Sequence, residues 1–118
     1  MSKINLTWQK CGDDKHFCNL LTLDLESIPR GNGVYLIWHG GTESKYVRVG
    51  QGDIRDRLSK HRNDNDILKY KDKHLYVIWA YVASNQLDGI EAYLGRMCSP
   101  LLGDRFPDAD EIEVNLPE

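Results

Sequence analysis

The hydrophobic repeat of this chain changes period once, abruptly, at residues 50–53, and that change constrains most of what the chain can fold into. Upstream of it, Val34-Tyr35-Leu36-Ile37-Trp38 and Tyr46-Val47-Arg48-Val49 are β-branched and aromatic runs separated by the polar, glycine-containing stretch 39–45. That pattern predicts a β-hairpin. Gly50-Gln51-Gly52 closes the second run, and Asp53 then offers a helix N-cap with Asp56 three residues on, where a capping-box acid belongs. In the helix predicted over 53–62, Ile54 and Leu58 share one face while Arg57 and His61 share another. The order is strand, loop, strand, glycine turn, helix. It directs a tyrosine, an arginine and a histidine toward one neighbourhood.

The remaining elements can be placed around this unit. Residues 75–82 (LYVIWAYV) are the strongest strand, and their near-continuous apolar character suits a central strand covered on both faces. A helix starts at Ser84 or Asn85 and runs to about residue 98, with Pro100 just beyond it. Weaker period-two signals come from Ile4, Leu6 and Trp8, and from Ile112, Val114 and Leu116, the latter predicting an edge strand. Residues 11–14 and 63–66 carry turn chemistry, and 67–71 suggest a short helical turn. Residues 16–25 are leucine-rich but fit neither period.

At 118 residues the chain suits a single domain with one core. Its best-defined part spans about 31–100, preceded by an N-terminal extension (1–30) and followed by an acidic tail (101–118). No run approaches the roughly 18 apolar residues of a membrane span, and the polar N-terminus lacks a signal-peptide core. A cytoplasmic protein without a membrane partner is therefore expected. The three cysteines are an odd number without the spacing of a secreted scaffold, so reduced thiols are expected. Cys11, His16 and Cys18 offer three soft ligands, but zinc sites usually supply four. No fourth lies near in sequence, and Cys18 reads as core.

The net charge of −3 argues mildly against a polyanionic partner, yet it averages over an asymmetry. Residues 45–73 hold nine of the fifteen Lys and Arg against five acids, whereas from residue 88 onward Arg96 and Arg105 face eight acids. A polyanion can dock on the middle of such a chain; a solvated helix face of mixed charge accounts for the same pattern.

One carboxylate stands out. Leu87, Ile90, Leu94 and Met97 or Cys98 make the apolar stripe of the last helix, and Glu91 falls inside it. A carboxylate on a core-facing stripe is costly unless it is paired or bound to metal. A glutamate at the stripe margin paired with an arginine and a glutamate with a functional task are both consistent with this position. Tyr35, Arg57 and His61 have equally plain structural readings when taken one at a time.

In combination they resemble the GIY-YIG nuclease family. The block GNGVYLIW is similar to the first motif of that family, with Val34 in the isoleucine position. YVRVGQG followed by DIRDRLSKH is similar to its second motif and the helix that carries its arginine. The resemblance covers about 31–100 and rests on the order and spacing of Tyr35, Gly50, Arg57, His61 and Glu91 as well as on the letters. Arg48 stands where the second motif has tyrosine. Tyr46, two residues earlier and on the same strand face by period, is a candidate auxiliary group in its place; alternatively Arg48 is itself the auxiliary group and contacts phosphate. The asparagine often found after the last helix has no clear counterpart; Asn115 is too distant to assign.

The resemblance implies an α/β fold of the α+β type, a central three-stranded antiparallel sheet (33–38, 45–50 and 75–82) flanked by helices. It further implies hydrolysis of DNA phosphodiester bonds with one divalent ion, Mg2+ or Mn2+. Glu91 would ligate the metal, Tyr35 would act as base or position the attacking water, Arg57 would steady the phosphate, and His61 would assist proton transfer. An arginine and a metal suit the charge that develops on phosphorus, while tyrosine is a base only if cations lower its pKa. Lys45, Arg55, Lys60 and Arg62 are the expected DNA contacts, with sequence preference borrowed from a protein partner or a homodimer. The alternative is a catalytically weak or inactive module that binds nucleic acid or a protein.

Overall fold

The computed structural model describes residues 3–9, 18–103 and 106–117. The sheet is built from β1 (Cys18–Asn19), β2 (Asn32–His39), β3 (Lys45–Asp53) and β4 (Leu75–Tyr81), all antiparallel, in the order β1-β4-β2-β3. Three of these strands coincide with the apolar runs. The fourth, β1, pairs Cys18 with Val77 and Asn19 with Tyr76, so the sheet has four strands where three are expected. Two residues are too short a segment to show a period. The predicted C-terminal edge strand shrinks to one parallel bridge between Ile4 and Val114.

Helix α1 (Ile54–His61) starts as its sequence predicts, with the Asp53 side chain accepting from the Asp56 amide. Its buried residues are Ile54, Leu58 and His61. His61 therefore lies on the core face with the two apolar residues, seven positions after Ile54, and Arg57 is left exposed. The sequence pairs His61 with Arg57, and it is the near-identity of i and i+7 on a helix that decides otherwise. The short α2 (Asn65–Leu68) is capped by Asp64. Helix α3 (Leu87–Cys98) follows a single 3-10 turn over Ser84–Gln86, and no side chain caps it. Neither Ser84 nor Asn85 performs the capping its position predicts.

Both faces of the sheet are covered, which is why β2 and β4 read as continuous apolar runs. Alternation along the strands sends Tyr35, Ile37, Val77 and Trp79 to one face, where they pack with Ile54, Leu58 and Ile67. Val34, Leu36 and Ile78 go to the other face, against Leu87, Ile90 and Leu94 of α3. Truncating a fully buried leucine such as Leu58 to alanine costs about 2–5 kcal/mol in sites of this kind.

The acidic tail is part of this packing. Phe106 lies on α3 at Gly95, Ile112 lies on it at Gly89, and the Ile112 amide donates to the Gly89 carbonyl. The amides of Leu101 and Leu102 donate to the carbonyls of Tyr46 and Val47, which covers the first half of the β3 edge. Among the described residues the second half, from residue 49 on, receives no such backbone cover.

Cys18 is buried but disulfide-bonded, not the reduced thiol expected, and Cys98 is a free cysteine. The predicted turn at 11–14 and the potential ligands Cys11 and His16 lie outside the described residues. Among the described residues no helix is long and apolar enough to cross a membrane.

Candidate active site

At the open half of the β3 edge the two faces of the sheet meet, and a cleft of about 370 Å³ forms there. It is lined by Tyr35 from β2, Arg48 and Gln51 from β3, Arg57 from α1 and Glu91 from α3, with Gly50, Gly52, Gly103 and Phe106 completing its walls. Tyr35 and Arg57 approach over one face, whereas Glu91 approaches from the helix on the other. They meet because β3 is the last strand on that side and because residues 50 and 52 have no side chains to block the approach. Gly52 also adopts a φ of 130°, which favours glycine.

Behind the cleft, the Tyr35 hydroxyl and His61 Nε2 are 2.5 Å apart. Burial holds the His61 imidazole down at about 4, and the Arg48 and Arg57 charges act in the same direction against Asp64. At neutral pH the ring is therefore uncharged, and in the tautomer with its proton on Nδ1 the bare Nε2 accepts the phenol proton. Burial raises the pKa of Tyr35 above its ordinary value. Arg48, and less strongly Arg57, favour the phenolate without overcoming that burial. The two arginines alone thus leave Tyr35 protonated, so the lowering that a tyrosine base requires is not achieved by these residues.

On the α3 side, the Gln51 amide donates to Glu91 Oε1 at 2.7 Å and to Asp88 Oδ1 at 2.7 Å. Burial raises the pKa of Glu91; the Gln51 hydrogen bond opposes this and the Asp88 charge adds to it. Arg57 Nε donates to the Gln51 carbonyl at 3.2 Å, which fixes the guanidinium at the mouth of the cleft. Gln51 and Asp88 are absent from the sequence-derived site. Gln51 reads as turn filler between two glycines, although Asp88, three residues before Glu91 on the same helix, is recognisable as its neighbour.

Tyr46 is not in the cleft. The β2–β3 register slips between Ile37 and Trp38, so that Ile37 opposes Arg48 but Trp38 opposes Tyr46. A bulge inserts one extra residue, here Val47, and reverses the facing of what precedes it. Tyr46 therefore leaves the Arg48 face and packs with Trp38 on the α3 side, beside the Cys98 thiol. It lines a separate cleft with Trp38, Ser44, Lys45 and Pro117, whose lining holds no carboxylate.

The four expected DNA contacts divide into two kinds. Arg55 donates from Nε and Nη2 to the Ile28 carbonyl (3.2 and 2.6 Å) and from Nη2 to Glu26. Arg62 donates to the carbonyls of Leu20 (3.0 Å) and Leu23. Both arginines thus hold the 20–28 segment against α1. Lys45 and Lys60 are exposed and pair only loosely with Glu43 (3.7 Å) and Asp56 (3.5 Å). Asn115 is likewise structural, bonding through its side chain to both the amide and the carbonyl of Leu6.

Among the described residues no three His, Cys, Asp or Glu side chains converge as a metal cage. The cleft supplies one half-buried carboxylate, Glu91, to which the exposed Asp88 outside the lining is joined through the Gln51 amide. That donor set suits Mg2+, which keeps most of its waters and takes one or two carboxylates. It does not suit zinc. Searches against family models, curated proteins and solved structures found no match to this chain.

Proposed function

We propose that this chain is a GIY-YIG-like hydrolase of DNA phosphodiester bonds, working with one Mg2+ or Mn2+. The observation that carries the reading is the convergence on one solvent-open cleft of Tyr35, Arg57 and Glu91, drawn from three elements on both sides of the sheet. A chain with no task for these groups has little reason to gather a phenol, a guanidinium and a costly half-buried carboxylate at a sheet edge.

Water attacks phosphorus, its oxygen forms the new P–O bond, and the bond to the leaving sugar oxygen breaks. The proton of the attacking water passes to the Tyr35 oxygen as the Tyr35 proton passes to the free electron pair of His61 Nε2. The leaving oxygen takes a proton from solvent. This relay avoids a free phenolate, which burial disfavours. It forms an imidazolium that burial and the Arg48 and Arg57 charges also disfavour, so it requires the negative charge of the bound phosphodiester to offset the two arginines. Arg57, held at the rim by the Gln51 carbonyl, neutralises charge that develops on the phosphoryl oxygens. Glu91 would hold the cation, with Gln51 fixing the carboxylate. A cation held there would supply Lewis-acid stabilisation of the developing charge. DNA would run along the exposed lysines of residues 45–73, and a single domain of this size would take its sequence preference from a partner or a second copy.

The test is nicking of supercoiled plasmid in Mg2+ or Mn2+, by the wild type and by Glu91→Ala. Cleavage that disappears in the variant supports the hydrolase. Absence of cleavage by the wild type on plasmid, single-stranded and branched DNA transfers the reading to a binding module.

A further inference from the structure

We propose that Arg48 is a second phosphate-binding group, so that one phosphodiester is gripped by two guanidiniums, Arg48 on the floor of the cleft and Arg57 at its rim. This rests on the reading of the cleft as a phosphodiesterase site and deepens it. Arg48 opposes Ile37 in the β2–β3 ladder, two residues along from the Tyr35–Gly50 pair, so its side chain emerges on the Tyr35 face. Half-buried there, it lines the same cleft as Tyr35, Arg57 and Glu91.

Two features ask for an anion. Among the described residues neither Arg48 nor Arg57 forms an ion pair; the arginine pairs are Arg30–Asp53 and Arg96–Glu111. Glu91 acts on both arginines through space without forming an ion pair, and its Oε1, like Asp88 Oδ1, accepts from the Gln51 amide. Second, Arg48 Nε is buried and has no hydrogen-bond partner. An arginine drawn into a cleft with an unused donor and a like charge nearby is costly. A tetrahedral oxyanion that accepts from both guanidiniums removes the repulsion, and it is the ligand for which the planar fork is shaped. Arg48 also lies beside the Tyr35 hydroxyl and is the stronger of the two cations acting on it. It therefore connects the phosphate to the group that handles the proton.

The experiment is a titration of the full chain with inorganic phosphate, followed by NMR at His61 and Tyr35, for the wild type, Arg48→Met, Arg48→Lys and Arg57→Met. Each is paired with cleavage kinetics on a labelled duplex. Phosphate is expected to bind the wild type and to bind Arg48→Met at least tenfold more weakly. Arg48→Lys, which keeps the charge and loses the fork, should fall between them. In cleavage, Arg48→Met should lower kcat by about 10²–10³-fold with the smaller change in KM. Equal phosphate affinity in wild type and folded Arg48→Met overturns the proposal; if that variant does not fold, equal affinity in Arg48→Lys does so. Phosphate bound through Arg48 without any DNA cleavage sustains the anion site and removes the hydrolase. Cleavage indifferent to Arg48→Met leaves the hydrolase and removes the second arginine.

Discussion

Tyr35 reaches His61 by passing directly over residue 50, and it can do so only because that residue is glycine. A Cβ at position 50 would stand 2.2 Å from the Tyr35 hydroxyl oxygen and 2.4 Å from the carbon that bears it. The ring is 2% exposed and packed against the sheet, so it cannot step aside cheaply. Gly50→Ala is therefore expected to cost about 1–3 kcal/mol, as other overpacked cores do, and to separate Tyr35 from His61. Urea unfolding measures the first effect and the NMR titration of His61 the second. An alanine variant with wild-type stability and an unchanged histidine titration would show that the ring is not held over this strand.

The buried histidine makes stability depend on pH in a defined direction. His61 is held at about 4 by burial, against 6.5 when free, so between those values the unfolded chain binds more protons than the folded one. Stability then falls as pH is lowered through that window, by up to about 1.4 kcal/mol per pH unit. Glu91, whose pKa is raised, contributes with the opposite sign, but it cancels when two proteins that both retain it are compared. His61→Gln should unfold at a lower urea concentration at pH 7, having lost the imidazole partner of Tyr35. Its stability should also decline less than that of the wild type between pH 6.5 and 4.5. Parallel declines in the two proteins would show that His61 titrates normally.

How much of this was legible in the residues depends on whether a feature repeats along the chain or arises across it. Strands β2, β3 and β4 and the Asp53 cap are local, so period and capping chemistry reveal them. The meeting of Tyr35, Arg57 and Glu91 is not local: it is expected only because their order and spacing resemble a known set of motifs, not from period or capping. The two-residue β1 has no period to detect. The bulge that turns Tyr46 away from Arg48 is set by pairing with β2, which no single strand displays. Arg55 and Arg62 look like free basic residues because their partners are carbonyls 27–42 residues distant, and carbonyls carry no signature in a sequence. Gln51 was hidden by its neighbours: two flanking glycines announce a turn, and a turn residue draws attention to its backbone.

Gln51 provides a test of how Glu91 is held. Its amide joins Glu91 and Asp88, and its removal would leave two carboxylates one helical turn apart with no shared donor, pushing the Glu91 carboxyl further up. Gln51→Leu should raise the Mg2+ concentration needed for half-maximal plasmid nicking by about 10–100-fold, as the loss of a ligand-orienting partner does elsewhere. Glu91→Ala should abolish nicking at every metal concentration. A metal requirement unchanged in Gln51→Leu would reduce the amide to a bystander.

The basic residues expected to contact DNA should separate into two groups when stability and DNA binding are measured on the same variants. Arg62 donates to the carbonyls of Leu20 and Leu23, and Arg55 to those of Ile28 and Glu26. Hydrogen bonds from charged donors contribute about 1.5–3 kcal/mol each when lost, so Arg62→Ala should show a loss of that order in urea unfolding. Lys60 is exposed and its contact with Asp56 is a 3.5 Å surface pair, so Lys60→Ala should fall within about 0.5 kcal/mol of the wild type. DNA affinity should reverse the order. A lysine that contacts phosphate contributes about one unit to the slope of log affinity against log salt, and Lys60→Ala should lose it, as should Lys45→Ala. Arg55→Ala, if folded, should keep the wild-type slope, because a guanidinium spent on carbonyls releases no counterions from DNA. A slope reduced in Arg55→Ala as much as in Lys60→Ala would mean that this arginine leaves Ile28 for the backbone of the nucleic acid, and that the 20–28 segment loosens when DNA binds.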